Sequence, residues 1–177
     1  LVAEVAAECK KQEIPLFLEP LHYSLDATGK TVPDAERRQV VVESASRLTA
    51  LGITVLKAEF PVDVKQNQDE QDWAAACAEL SAASAVPWVL LSAGVDFDIY
   101  LRQVKVASAN GSSGVLCGRA VWKESIQLAG NDRANFLNDT ATARFQEIAS
   151  VVSQSARPYP DFYPATDGDD LEGWQLS

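Results

Sequence analysis

Methionine is absent from all 177 residues, histidine occurs once, at His22, and cysteine only three times, at Cys9, Cys77 and Cys117. An odd number of widely spaced thiols in apolar surroundings does not make a disulfide framework. Neither the thiols nor the histidine fall at metal-ligand spacing, so no metal ligands are assigned. Reduced thiols of this kind suit a cytoplasmic setting. No stretch approaches the roughly 20 apolar residues that a membrane-spanning helix needs. Basic residues are outnumbered, 15 Lys plus Arg against 25 Asp plus Glu, and nowhere cluster, which leaves a formal charge of −10. A surface of that sign repels phosphate backbones and anionic lipids, so neither nucleic acid nor a membrane is expected as partner. No Gly-x-Gly-x-x-Gly follows a strand-like run and no Gly-x-x-x-x-Gly-Lys-Ser/Thr occurs, which removes the usual signatures of a bound dinucleotide or nucleoside triphosphate. No cofactor is expected.

The missing methionine carries a second expectation. Leu1, Val2, Val5, Ala6 and Cys9 form one stripe at helical spacing, so the sequence opens inside a helix, and no basic segment followed by a long apolar run marks a signal peptide. An N-terminal part of the protein is therefore expected to lie outside this sequence.

What is present, with 47% apolar residues, is an alternation of two patterns. Continuous apolar runs read as strands buried on both faces at 14–21, 53–60, 87–94 and 114–119. Between and after them lie helical stretches: one opened by Pro33 and Asp34, with Asp34 as candidate N-cap and Gly52 closing it, then 68–85, 96–110, a short one near 123–128 and a long one from about 132 to 152. Four strands alternating with helices make an α/β fold with a parallel sheet. Corresponding positions at the strand ends, Glu19, Lys57, Ser92 and Arg119, are 38, 35 and 27 residues apart, close to the roughly 31 per unit of a ~250-residue eight-unit barrel. Polar residues gather at the C-terminal strand ends, where barrel active sites are built, so the expected fold is the second, C-terminal half of a TIM (β/α)8 barrel over residues 1–152. A tail, 153–177, follows it. The tail is rich in Pro, Asp and Tyr and shows no period. Its aromatics are expected to lie on the barrel or against a neighbouring subunit, which leaves a homo-oligomer open, and Asp167 to Asp170 should be solvated.

Lys57 stands between apolar neighbours in Val55-Leu56-Lys57-Ala58. Either its stem snorkels outward or its amine is desolvated, and desolvation favours the neutral nucleophile that Schiff-base chemistry requires. By strand alternation Val55, Lys57 and Glu59 share a face, so Glu59 is a candidate partner for Lys57 in a purely structural pair. Glu19 lies one strand earlier, an isolated carboxylate in an apolar run, costly to bury unless paired or functional. Neighbouring strand ends lie about 5 Å apart. A carboxylate beside an imine-forming amine is what carbinolamine dehydration and proton transfer to an alkoxide need. Ser92 and Gly94 end the third strand before a helix, and Gly118 and Arg119 end the fourth. Small residues, helix-start amides and a guanidinium fork suit a phosphate group, although Asp96 at the same helix start opposes an anion. His22 reads as a loop histidine near a substrate hydroxyl or as a structural one, and Cys117 as a buried structural thiol.

Four stretches in this order, 8–19, 55–62, 91–95 and 114–122, resemble the tagatose 1,6-diphosphate aldolase family of class I aldolases. The resemblance spans about residues 1–152. It implies a (β/α)8 barrel with Lys57 as Schiff-base lysine and Glu19 as acid/base, and Ser92, Gly94, Gly118 and Arg119 around the ketone-side phosphate. The implied reaction is cleavage of a ketose 1,6-bisphosphate, such as tagatose 1,6-bisphosphate, to dihydroxyacetone phosphate and glyceraldehyde 3-phosphate. Sulfofructose-phosphate aldolases share the lysine chemistry and would look similar in these stretches. An inactive partial barrel acting as a partner or scaffold is the reading from a different class.

Overall fold

Four short apolar runs pair edge to edge in the order in which they occur in the chain. In the computed structural model, which describes residues 1–23 and 32–164, they are β1 (Phe17–Leu18), β2 (Val55–Ala58), β3 (Trp88–Leu91) and β4 (Gly114–Leu116), and the sheet order is β1-β2-β3-β4 with every pair parallel. A doubly wound sheet reverses its order at a switch point. No reversal occurs here, so each helical crossover returns to the same face, as in a barrel. These are four consecutive units of a (β/α)8 fold.

The strands are shorter than the apolar runs that predict them. Prolines flank the ladders at Pro15 and Pro20 around β1, at Pro61 after β2 and at Pro87 before β3, and a residue without an N–H cannot extend a hydrogen-bonded ladder. Arg119, expected at the end of a strand, is already the first residue of a helix.

The helices are α1 (Val2–Lys11), α2 (Asp34–Thr49), α3 (Glu70–Ala83), α4 (Phe97–Ala109), α5 (Arg119–Trp122), α6 (Gly130–Asn135) and α7 (Thr142–Ser155). Asp34 is not the N-cap of α2. Pro33 holds that position, and the Asp34 carboxylate accepts instead from the Asp63 amide at 2.6 Å and from Asn67 Nδ2 at 3.3 Å, tying the helix start to the loop after β2. In α3 the cap is Asp69, which accepts from the Gln71 amide at 2.9 Å. The long helix expected from about residue 132 is interrupted by a π-helical turn, Phe136–Ala141. There Thr142 Oγ1 donates to the Leu137 carbonyl at 3.1 Å, and the Arg144 guanidinium lies 4.9 Å from the Phe97 ring centre and 5.5 Å from that of Phe136. The stripe on α1 is only partly used: Ala6 is buried, whereas Leu1 and Val5 are exposed.

Helices α2, α3, α4 and α7 follow one another around the outer face of the sheet. Strand residues Leu56, Ala58, Trp88 and Leu90 point into them and meet Val41, Ala45, Trp73, Leu80, Tyr100, Val104 and Ile148 in a single core. Trp73 is fully buried, with its ring edge-on to Phe60 at 5.3 Å, its Nε1 donating to the Asn67 carbonyl at 3.0 Å, and Arg102 stacked 4.8 Å from its centre. Burial pushes the Cys77 thiol up to about 12. Alternation sends the other strand residues, Lys57 among them, to the opposite face.

Beyond α7 the chain passes beneath the N-terminal ends of the strands. The Arg157 amide donates to the Ser112 carbonyl at 2.9 Å, and the Tyr163 hydroxyl donates to the Thr54 carbonyl at 3.0 Å. Asp167 to Asp170 lie outside the described residues. Among the described residues no helix is long and apolar enough to cross a membrane.

Removing the Trp73 ring leaves a void that close-packed neighbours cannot fill. Trp73→Ala should lower unfolding free energy by about 3–5 kcal/mol in urea titrations. Truncating the exposed ring of Phe145 should change it by no more than about 0.5 kcal/mol.

Candidate active site

Phe17 of β1 stands opposite Val55 of β2. Two residues further along both strands, the same parallel register sets Glu19 beside Lys57. The Lys57 Nζ donates to Glu19 Oε2 at 2.7 Å, with 25% of the lysine side chain and 38% of the glutamate side chain open to solvent. Glu59 shares the face of Lys57, as alternation requires, but does not pair with it. Its carboxylate is taken by another group: His22 donates its backbone amide to Oε2 at 3.0 Å, His22 Nδ1 lies 2.6 Å from the same oxygen, and Arg37 Nη2 donates to Oε1 at 3.2 Å. His22 Nε2 lies 3.1 Å from Ser44 Oγ on α2. The segment after β1 is therefore fastened at two points, Glu19 to Lys57 and His22 to Glu59. The loop histidine belongs to a half-buried hydrogen-bonded group that links β1, β2 and α2.

On the far side of the same cavity, β3 and β4 deliver the small residues. The Gly118 amide donates to Ser92 Oγ at 3.4 Å. Ala93 and Gly94 both have positive φ, +47° and +73°. For an alanine this costs about 1–2 kcal/mol and places a tight turn at the mouth of the site. Arg119 lies against Gly94: a Cβ on that glycine would sit 3.3 Å from the guanidinium carbon. Lys123, which sequence reading did not single out, donates to the Gly94 carbonyl at 3.1 Å and pairs with Asp96 at 2.5 Å. That ammonium holds the Asp96 carboxyl below its usual range. Its partners lie 29 and 27 residues away, so no local pattern marks it.

One cavity of about 720 Å³ is lined by Glu19, Lys57, Glu59, Ser92, Gly118 and Arg119, with Tyr23, Leu116, Cys117 and Trp122 among its walls. Burial pushes the Cys117 thiol up, so it stays protonated at neutral pH. One cavity thus exposes an amine with its adjoining carboxylate together with a hydroxyl, an amide and a guanidinium, groups that can bond a carbonyl and an anion.

Residues 1–124 match the family model described as DeoC/LacD family aldolase. The chain belongs to the DeoC/LacD aldolase family. Among curated relatives it is 28% identical to "Tagatose 1,6-diphosphate aldolase 2" of Streptococcus mutans serotype c, over 90% of this chain and 54% of the relative. Identity is 30% to "Tagatose 1,6-diphosphate aldolase 1" of Enterococcus faecalis, over 88% of this chain and 53% of the relative. It is 32% to "Tagatose 1,6-diphosphate aldolase" of Listeria monocytogenes serotype 4a, over 88% and 52%. This DeoC/LacD aldolase chain thus spans about half the length of the curated relatives it matches, in keeping with four βα units of an eight-unit barrel.

The two carboxylates on this face should differ in what they do for stability. Glu59 is nearly enclosed, with 11% of its side chain exposed, and compensates Arg37. Glu59→Ala should cost about 3–5 kcal/mol, the penalty for stranding a buried charge. Glu19→Ala, at a more open pair, should cost no more than about 1 kcal/mol. Chemical denaturation of the two variants beside the parent chain checks this order.

Proposed function

We propose that this chain carries the imine-forming and ketone-side phosphate residues of a class I aldolase acting on a ketose 1,6-bisphosphate, of which tagatose 1,6-bisphosphate is the reading best supported. The observation that carries the proposal is the Lys57–Glu19 contact at 2.7 Å, open to the cavity that Arg119 also lines. The likeness to tagatose 1,6-diphosphate aldolases supports the sugar.

In this mechanism the Lys57 proton passes to Glu19, and the neutral amine attacks the ketose carbonyl carbon. Glu19 returns the proton to the departing oxygen, water leaves, and an iminium forms. A base then takes the proton of the C4 hydroxyl. The C3–C4 bond breaks, its electron pair moves into the iminium to give an enamine, and the C4 side leaves as glyceraldehyde 3-phosphate. Protonation of the enamine at C3 and addition of water to the imine release dihydroxyacetone phosphate and restore Lys57. Atoms balance without an external oxidant or reductant. Ser92 Oγ, the Gly94 and Gly118 backbone and Arg119 hold the phosphate on C1 and so set the carbonyl against Nζ.

Borohydride added with dihydroxyacetone phosphate should fix a reduced adduct on the peptide containing Lys57, detected by mass spectrometry and absent in Lys57→Arg. An adduct on another lysine, or none, overturns the assignment. Loss of the guanidinium in Arg119→Ala should raise the concentration of dihydroxyacetone phosphate needed for half-maximal trapping by a factor equivalent to about 1.5–3 kcal/mol, with the adduct remaining on Lys57. Half-maximal trapping at the parent concentration contradicts a phosphate role for Arg119.

A further inference from the structure

An acidic protein that grips a phosphate must deal with every carboxylate close to it, and Asp96 is such a carboxylate. It lies two residues beyond Gly94, at the N-cap position of α4, and its side chain is largely exposed. Left alone, its charge would oppose an anion seated on Ser92, Gly118 and Arg119.

Lys123 answers it. Arg119 begins α5, and Lys123 begins the 3₁₀ turn that comes directly after, so the two cations stand four residues apart and reach the same stretch of the β3 exit. The guanidinium packs on Gly94, while the ammonium takes the Gly94 carbonyl at 3.1 Å and the Asp96 carboxylate at 2.5 Å. The elements carrying the pair are held from behind, where Arg144 donates to the Val121 carbonyl and to Glu124, both at 3.0 Å. With Lys123 in place, Arg119, Lys123 and Asp96 sum to one positive charge. Without it they sum to zero.

We propose that Lys123 is a positioning residue of the phosphate site, neutralising Asp96 and fixing the Gly94 carbonyl so that the exit of β3 accepts an anion. The inference rests on the reading of this corner as the phosphate site. Asp96 harms anion binding, and Lys123 acts chiefly by cancelling that harm.

The test is a charge cycle on the full chain, read by calorimetric titration with inorganic phosphate at low ionic strength, with thermal unfolding recorded for each variant. Lys123→Gln, which keeps a donor for Gly94 but loses the charge, should weaken phosphate binding about tenfold, as expected when a partly exposed charge near the anion is left uncompensated. Asp96→Asn should tighten it. The double variant should bind within about threefold of the parent, and Lys123→Arg should restore parental affinity. All differences should shrink as salt is added. If the double variant binds as weakly as Lys123→Gln, Lys123 contacts the anion directly and the positioning role is overturned. It is overturned equally if Lys123→Gln binds like the parent while Arg119→Ala binds weakly. Absence of phosphate binding to the parent, or binding unchanged by Arg119→Ala, would instead overturn the phosphate site itself and the inference with it.

Discussion

A lysine ammonium and a glutamate carboxylate 2.7 Å apart, each partly open to solvent, gain little free energy from their contact in water. The surrounding structure nevertheless goes to some length to produce that contact. Parallel pairing of β1 with β2 sets the register, and Pro20 ends the first strand one residue after Glu19. The half-buried group of His22, Glu59 and Arg37 then fastens the outgoing loop to the second strand and to α2. The pair contributes little to stability, yet it is held firmly in the geometry that proton transfer between a neighbouring amine and carboxylate requires.

Sheet topology does the rest of the positioning. Because the strands follow one another in sequence order and all run the same way, every C-terminal strand end opens onto one rim. The third and fourth ends bring Ser92, Gly118 and Arg119 to the cavity that Lys57 lines from the second, while Gly94 lies behind them against the Arg119 guanidinium. The described part of the tail, up to residue 164, lies at the opposite rim, where Tyr163 and Arg157 bind backbone groups just before β2 and β4.

Much of this was legible from residue pattern. Two-period alternation placed Lys57 and Glu59 on one face, and the fall of polar residues at the C-terminal ends of successive strands, more than their spacing, pointed to a barrel. The partners of those residues were less legible. Alternation allows Lys57 to meet Glu59 as well as Glu19, and only the strand register, together with the return of His22 and Arg37 to Glu59, decides between them. The cap of α2 was misassigned because Asp34 finds stronger long-range partners in Asp63 and Asn67 than in its own helix. Lys123 was overlooked because its meaning depends on Gly94 and Asp96, 29 and 27 residues away. The π turn has no signature in apolar spacing; Arg144, which follows it, packs against the rings of Phe97 and Phe136.

In the proposed mechanism Lys57 and Glu19 act as one unit, the amine holding the ketone and the carboxylate moving its protons. Exchange of the hydroxymethyl-carbon hydrogen of dihydroxyacetone phosphate into deuterium oxide, monitored by proton NMR, requires both an imine and a base and so reads that unit directly. Exchange should be abolished in Lys57→Arg and strongly slowed in Glu19→Gln, and adding the second change to Lys57→Arg should cost nothing more. Exchange that survives in Lys57→Arg, or that is unaffected by Glu19→Gln, would contradict the account.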